Sequence, residues 1–248
     1  MHHTCAYGAS LSTTAETDIA ALADQIIPIT NGHFLPQRNL DLLYIGAAGP
    51  DISRARISTP TLQVVTTPFV RDVSVAATFG DPQIFTDYSP NPLMLVGLEE
   101  VTFYATNAAA AANRVVGVLG LQYQYQPTPA GRIYTLRGTA TATLTANAWT
   151  ALGTITWQNT LPTGTYAVVG AAALSAGGQA FRLIMDGQFY RPGGLAATTV
   201  GTRTDRLFRM GGLGVWGTFH NYAMPLVEML SSSADTSETV FLDLVKIS

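Results

Sequence analysis

Charge is what this chain has least of. Of its 248 residues, 12% are Asp, Glu, Lys or Arg, about half the ~25% of an ordinary soluble domain. Meanwhile 47% are hydrophobic and the mean hydropathy is +0.22. Two explanations fit such a balance: membrane insertion, or a surface covered by other subunits, because interface cores are depleted of charge. Long apolar runs are lacking as well. The best candidate, Ala108 to Leu121, is interrupted by Asn113-Arg114 and carries two glycines. A spanning helix needs about 18 uninterrupted apolar residues, which leaves the covered surface as the reading.

Lysine is almost absent. Lys246 stands alone among thirteen basic residues, the rest being arginine, the cation favoured at interfaces. With a net charge of −3 and a pI near 5.7, no basic field exists to hold nucleic acid, and no sequence-specific nucleic-acid partner is expected. Cys5 is the single cysteine, which excludes a disulfide framework and a thiolate metal site. The N-terminus lacks a basic region followed by an apolar one, so no secretory signal is expected.

Chemistry is equally sparse. The four histidines are His2, His3, His33 and His220. A metal-dependent double-stranded β-helix enzyme of the cupin type needs two histidines close together on one strand, with a carboxylate nearby. No H-x-H lies away from the terminus, and His2-His3 reads as a mobile terminal pair. Glu99 and Glu100 are adjacent, so on a strand they point to opposite faces. No G-x-S-x-G is present. Gly212 to Gly217 matches G-x-G-x-x-G, but the HNY run and Pro225 that follow are poor helix material, and a dinucleotide site needs a helix there. Glycines packing a bulged strand fit better. No catalytic residue, cofactor or metal is expected; the chain does not read as an enzyme.

What is present is β-structure, in two similar halves. Leu161 to Ala172, LPTGTYAVVGAA, is a proline-glycine turn feeding a strand. A fainter copy is Leu35-Pro36 followed by Leu42 to Ala48, with Gly46 and Gly170 half a chain apart. Downstream, Ala55-Arg56-Ile57 matches Phe181-Arg182-Leu183, and Pro68 to Arg71 matches Gln188 to Arg191. A small-residue turn follows in each half, Asn107 to Ala112 and Ser231 to Ala234. Each leads into a β-rich run, Val115 to Leu121 and Val240 to Ile247. Such order is the mark of an internal repeat; chance likeness between halves rich in Ala, Gly and Val is the alternative. Gln122 to Gly131, with two prolines and a glycine, reads as the linker.

Residues 1 to 14 read as a flexible arm. An amphipathic helix is expected next, started at Thr14-Ala15-Glu16, with Ile19, Leu22, Ala23 and Ile26 on one face and Pro28 as its stop. Asp51 to Ile57 reads as a helical turn. Strands are expected over Leu40–Ala48, Thr61–Thr66, Val73–Phe79, Leu93–Ala105 and Tyr134–Leu144, and then over further short segments. Turn signals every 8 to 12 residues are the sandwich or barrel pattern. The predicted fold class is all-β: two tandem antiparallel jelly-roll sandwiches with a short N-terminal helix. Its domains are 1–28 (arm and helix), 29–126 (first jelly roll) and 127–248 (second). Candidate subunit-contact residues are Arg203, Arg206 and Arg209, Trp216, and the helix face Ile19, Leu22 and Ile26.

On the duplicated LP…YIGAA and LP…YAVVGAA pattern, the chain resembles the double jelly-roll major capsid proteins of the adenovirus-like lineage. Its compact form resembles those of membrane-containing bacterial viruses. That resemblance implies a structural virion protein. Three copies would form a pseudo-hexagonal homotrimeric capsomer, packed against neighbouring capsomers in an icosahedral shell. The N-terminal helix would face an internal viral membrane. A rival expectation is a carbohydrate-binding or adhesin sandwich, with Trp149, Trp157, Tyr190 and Trp216 as its aromatic platforms.

Overall fold

A computed structural model describes residues 2–65, 69–70, 85–110, 113–197, 206–231, 233–234 and 236–248. These residues form two compact units. Of the described residues, those from 5 to 65, 69 to 70, 85 to 110 and 113 to 123 form the first, and those from 124 onward together with 2 to 4 form the second. The strand expected over Val73–Phe79 lies outside the described residues.

The first part of the chain supplies β1 (His2–Leu11), β2 (Thr17–Ile19), the hairpin β3 (Ile29–Thr30) and β4 (His33–Phe34), β5 (Leu40–Ala48) and β6 (Ile52–Ser58). Helix α1 (Pro60–Val65) follows, then β7 (Phe69–Val70), β8 (Phe85–Asp87), β9 (Leu93–Leu95), β10 (Thr102–Asn107) and β11 (Asn113–Gln122). One sheet runs β1-β11-β5-β8, with β9 beside β5, and the other runs β2-β10-β6-β7. Set aside β9 and the hairpin, and the eight remaining strands pair first-eighth-third-sixth and second-seventh-fourth-fifth. That is jelly-roll connectivity. On β10, Phe103, Ala105 and Asn107 are buried and alternate with half-buried Thr102, Tyr104 and Thr106, the period of a strand with one face inward. The sheets meet closely where the Phe103 ring lies on Gly117. A Cβ there would stand 2.4 Å from the ring, so only glycine admits this packing.

The second part supplies β12 (Ile133–Ala140), β13 (Trp149–Ala151), β14 (Thr156–Trp157), β15 (Thr165–Leu174) and β16 (Gly178–Ile184). Next come β17 (Gly193–Leu195), β18 (Gly217–His220), β19 (Leu226–Ser231) and β20 (Glu238–Lys246). Its sheets run β14-β12-β20-β15-β18 and β13-β19-β16-β17. Without β14, the order is again first-eighth-third-sixth and second-seventh-fourth-fifth. The fold is therefore all-β, two antiparallel jelly-roll sandwiches in tandem. Most of the repeated segments fall on corresponding strands; the exception is Gln188 to Arg191, a loop before β17, whereas Phe69-Val70 lie on β7. Gly46 and Gly170 lie on the third strands β5 and β15, Arg56 and Arg182 on the fourth strands β6 and β16. Val115 to Leu121 and Val240 to Lys246 lie on the eighth.

The N-terminal region corrects the sequence reading. Among its described residues there is no arm and no helix. β1 is a ten-residue strand with His2 to Tyr7 buried, laid beside β11. Asp18 and Ile19 pair with Tyr104 and Phe103 of β10. Backbone bonds from Gly8 to Ala20 and from Leu22 to Ala6 hold the next residues. Asp24 then accepts from the amides of Ile26 and Ile27, a turn that diverts the chain from helix. The apolar spacing was helical, but long-range pairing overrode a weak local preference in a segment containing Thr17, Asp18 and Ile19.

Two neighbouring expectations were also reversed. Asp51 to Ile57 lies mostly on strand β6, and the strand expected over Thr61–Thr66 begins as α1. A cap explains the helix: the Leu62 amide donates to Thr59 Oγ1 at 3.2 Å, with Pro60 in the first helical position. The Glu99 carboxylate takes the Thr61 amide as well.

Candidate functional site

The most constructed part of the second sandwich surrounds Gly170. The β15–β20 register slips between Val168 and Gly170, placing Gly170 opposite Asp243. A bulge leaves carbonyls off the ladder, and the loop after the 3₁₀ turn at Arg206–Phe208 takes them. Gly211 N donates to Val169 O and Trp216 N to Val168 O. For this the loop must lie on the strand, and a Cβ at Gly170 would stand 2.9 Å from backbone atoms of Phe208, Arg209 and Met210. Glycine at the centre of the YAVVGAA run is thus a requirement of the crossing loop.

Asp243 anchors the same loop. It is fully buried and accepts from Arg209 Nε at 2.5 Å, Arg209 Nη2 at 2.8 Å, the Met210 amide at 3.0 Å and Thr135 Oγ1 at 2.8 Å. Burial pushes its carboxyl up, but the bonds from Arg209, Met210 and Thr135 outweigh that and hold it below the usual aspartate range. Met210 takes a left-handed φ of 53°, a strained geometry that the surrounding bonds enforce.

A second buried ionic group sits on the other sheet. Arg182 Nε donates to Glu228 Oε2 at 2.6 Å, and Arg191 Nη1 reaches the same oxygen at 2.7 Å. The Arg182 guanidinium lies 4.2 Å above the Trp149 ring, and its side chain is 2% exposed. Arg191 is fixed from behind: its amide donates to His3 Nδ1, and its carbonyl accepts from the Thr4 amide. His2 packs edge-on against Trp216. The terminal pair expected to be mobile is thus buried. Burial, with His3 close by, lowers the His2 pKa to about 3.

The proposed contact residues are scattered. Arg203 lies outside the described residues, Arg206 opens the 3₁₀ turn, and Arg209 is committed to Asp243. Trp216 is buried and stacks on Phe181 with centroids 6.3 Å apart. Ile19 is buried on β2, while Leu22 and Ile26 are half-buried. Of the aromatics expected to form platforms, Tyr190 and Trp216 meet in one cleft. Trp149 lies under Arg182, and Trp157 covers Gly138.

Sequence reasoning missed the apolar side chains that do reach water. In the first unit these include Met94 and Leu98, and in the second Phe189, Tyr222, Leu226 and Met210. Phe189 and Tyr222 are 81% and 82% exposed. Their signal was local: Phe189 follows Asp186-Gly187 and Tyr222 follows His220-Asn221, aromatic residues set in turns and outside any strand alternation. Among the described residues, no group of three or more His, Cys, Asp or Glu is placed to hold a metal ion. No described helix is long and apolar enough to cross a membrane.

No family model matches the chain, and no curated protein matches it. Among solved structures it is similar to the major capsid protein P2 of bacteriophage PM2, at 13% identity and a TM-score of 0.27, covering 100% of this chain and 98% of that one. It is also similar to a chain from a structure of the triple jelly roll fold and turret assembly in an archaeal virus, at 9% identity and a TM-score of 0.18, covering 99% of this chain and 79% of that one.

Proposed function

We propose that this chain is a coat subunit of a virion, located in the capsid, with a structural role. The observation that carries the reading is the repetition of one jelly-roll connectivity in tandem within 248 residues. Jelly rolls build viral shells, among other proteins. Two per chain give a specific assembly: three copies around a threefold axis present six sandwiches, a pseudo-hexagonal tile that packs against its neighbours. The chemistry of the chain supports this. Only 12% of residues are charged, and large apolar side chains such as Leu98, Tyr222 and Leu226 stand in solvent on the isolated chain. Exposed apolar groups of this kind favour contact with sister subunits.

Contact with an internal membrane is not part of the proposal. The helix that was to make it is a strand paired with β10. Light scattering on the purified chain tests the assembly. The expected particle has three times the 26.3 kDa chain mass, or a multiple of that trimer. A stable monomer at micromolar concentration would contradict the reading.

A further inference from the structure

We infer that the cleft beside β18 in the second sandwich is a binding site for a neutral sugar. It encloses about 370 Å³ and is walled by Gln126, Gln188, Phe189, Tyr190, Trp216 and Thr218. Three aromatic residues and two primary amides therefore line it, with no Asp, Glu, Lys or Arg among the described residues.

Its parts are arranged for an amphipathic guest. Phe189 stands 81% exposed just beyond the turn at Gly187, whose φ is +70°. The Trp216 ring is buried and forms part of the cleft's floor. Gln188 is held in place by donating Nε2–H to the Thr218 carbonyl at 3.1 Å. Its Oε1 lies over Gly217, where a Cβ would come within 2.2 Å of that oxygen. Glycine at 217 thus leaves room for the amide at the cleft wall.

The lining chooses among ligand classes. An anion or cation would enter without a counter-charge and lose its hydration, which is costly. A purely apolar guest would cover the Gln126 and Gln188 amides without pairing them. A pyranose offers a C–H face to the exposed Phe189 ring and uncharged hydroxyls to the amides, and the cleft falls in the size range of small-ligand sites. This site is independent of the coat assignment, since the cleft lies within one sandwich of one chain.

The test is saturation-transfer NMR on the intact protein, using a panel of neutral methyl hexopyranosides with methyl glucuronide as the charged comparator. The expected result is transfer from the protein to the ring protons of at least one neutral sugar, weaker or absent for the glucuronide. Phe189→Ala removes a ring that is in solvent, so folding and particle mass stay unchanged while affinity falls about tenfold, the scale of one stacked ring. Gly217→Ala, which displaces Gln188, also weakens binding. The inference is overturned if no neutral sugar receives saturation, or if Phe189→Ala binds as well as the parent. It is equally overturned if Phe189→Ala changes the particle mass, which would make the cleft a seat for a neighbouring copy.

Discussion

Arg56 and Arg182 occupy corresponding fourth strands, and each stacks on an aromatic ring while pairing with a glutamate. In the first sandwich Arg56 lies 4.1 Å above the Tyr104 ring and bonds Glu16 through Nε and Nη2. Its side chain is 18% exposed and that of Glu16 is 39% exposed. In the second sandwich Arg182 and Glu228 are 2% and 14% exposed, with Arg191 added. The third strands differ in the same direction. Gly46 faces Val118, whereas Gly170 faces the buried carboxylate of Asp243. One connectivity therefore carries two electrostatic regimes: a peripheral pair in water, and a set of internal ionic anchors that tie loops down. A salt bridge in water contributes little, while removing one member of a buried set leaves an uncompensated charge.

That contrast can be broken at several points. The largest effect is expected from Glu228→Gln, which removes the carboxylate that Arg182 and Arg191 share and costs about 3–5 kcal/mol, read as a shift in the urea midpoint. Equal losses from Glu228→Gln and Glu16→Gln would erase the distinction. Gly170→Ala comes next, at about 1–3 kcal/mol for overpacking against backbone; hydrogen exchange at residues 209 to 216 reports whether the loop lifts. Asp243 sharpens the comparison through pH. Its carboxyl is depressed in the folded state, so its contribution is present above the ordinary aspartate range and is lost as pH falls through the folded value. Asp243→Asn should lower stability at neutral pH and flatten the acid limb of a melting-temperature profile. The smallest effect is Glu16→Gln, below about 1 kcal/mol and diminished further by salt.

Much of this architecture was legible because turns and strand composition are local. The YIGAA and YAVVGAA runs marked the third strands, and the small-residue turns marked entry to the eighth. Legibility ended where distant partners decide. Ile19, Leu22 and Ile26 carried helical spacing, yet Tyr104 and Phe103 claimed Asp18 and Ile19 for a ladder. β1 escaped notice because HHTCAYGASL shows little alternation, and its burial comes from neighbouring strands. α1 was readable after all: Thr59-Pro60 is a cap followed by a first-turn proline, outweighed in the sequence reading by the β-branched Val64-Val65. At the candidate site, LVK told nothing of how Asp243 just before it is used. An acid on a final strand becomes an anchor only once a bulge opposite draws Arg209 to it. The exposed Phe189 and Tyr222 carried only a turn signal, since a turn aromatic looks the same whether it packs inward or waits for a ligand.

Electron microscopy of the expressed, purified chain puts the central claim to its most direct trial. The account predicts three-chain tiles with a six-lobed outline, alone or joined into hexagonal plates and closed shells. Fields holding nothing but separate single-chain particles, at concentrations where the tiles should form, would contradict it.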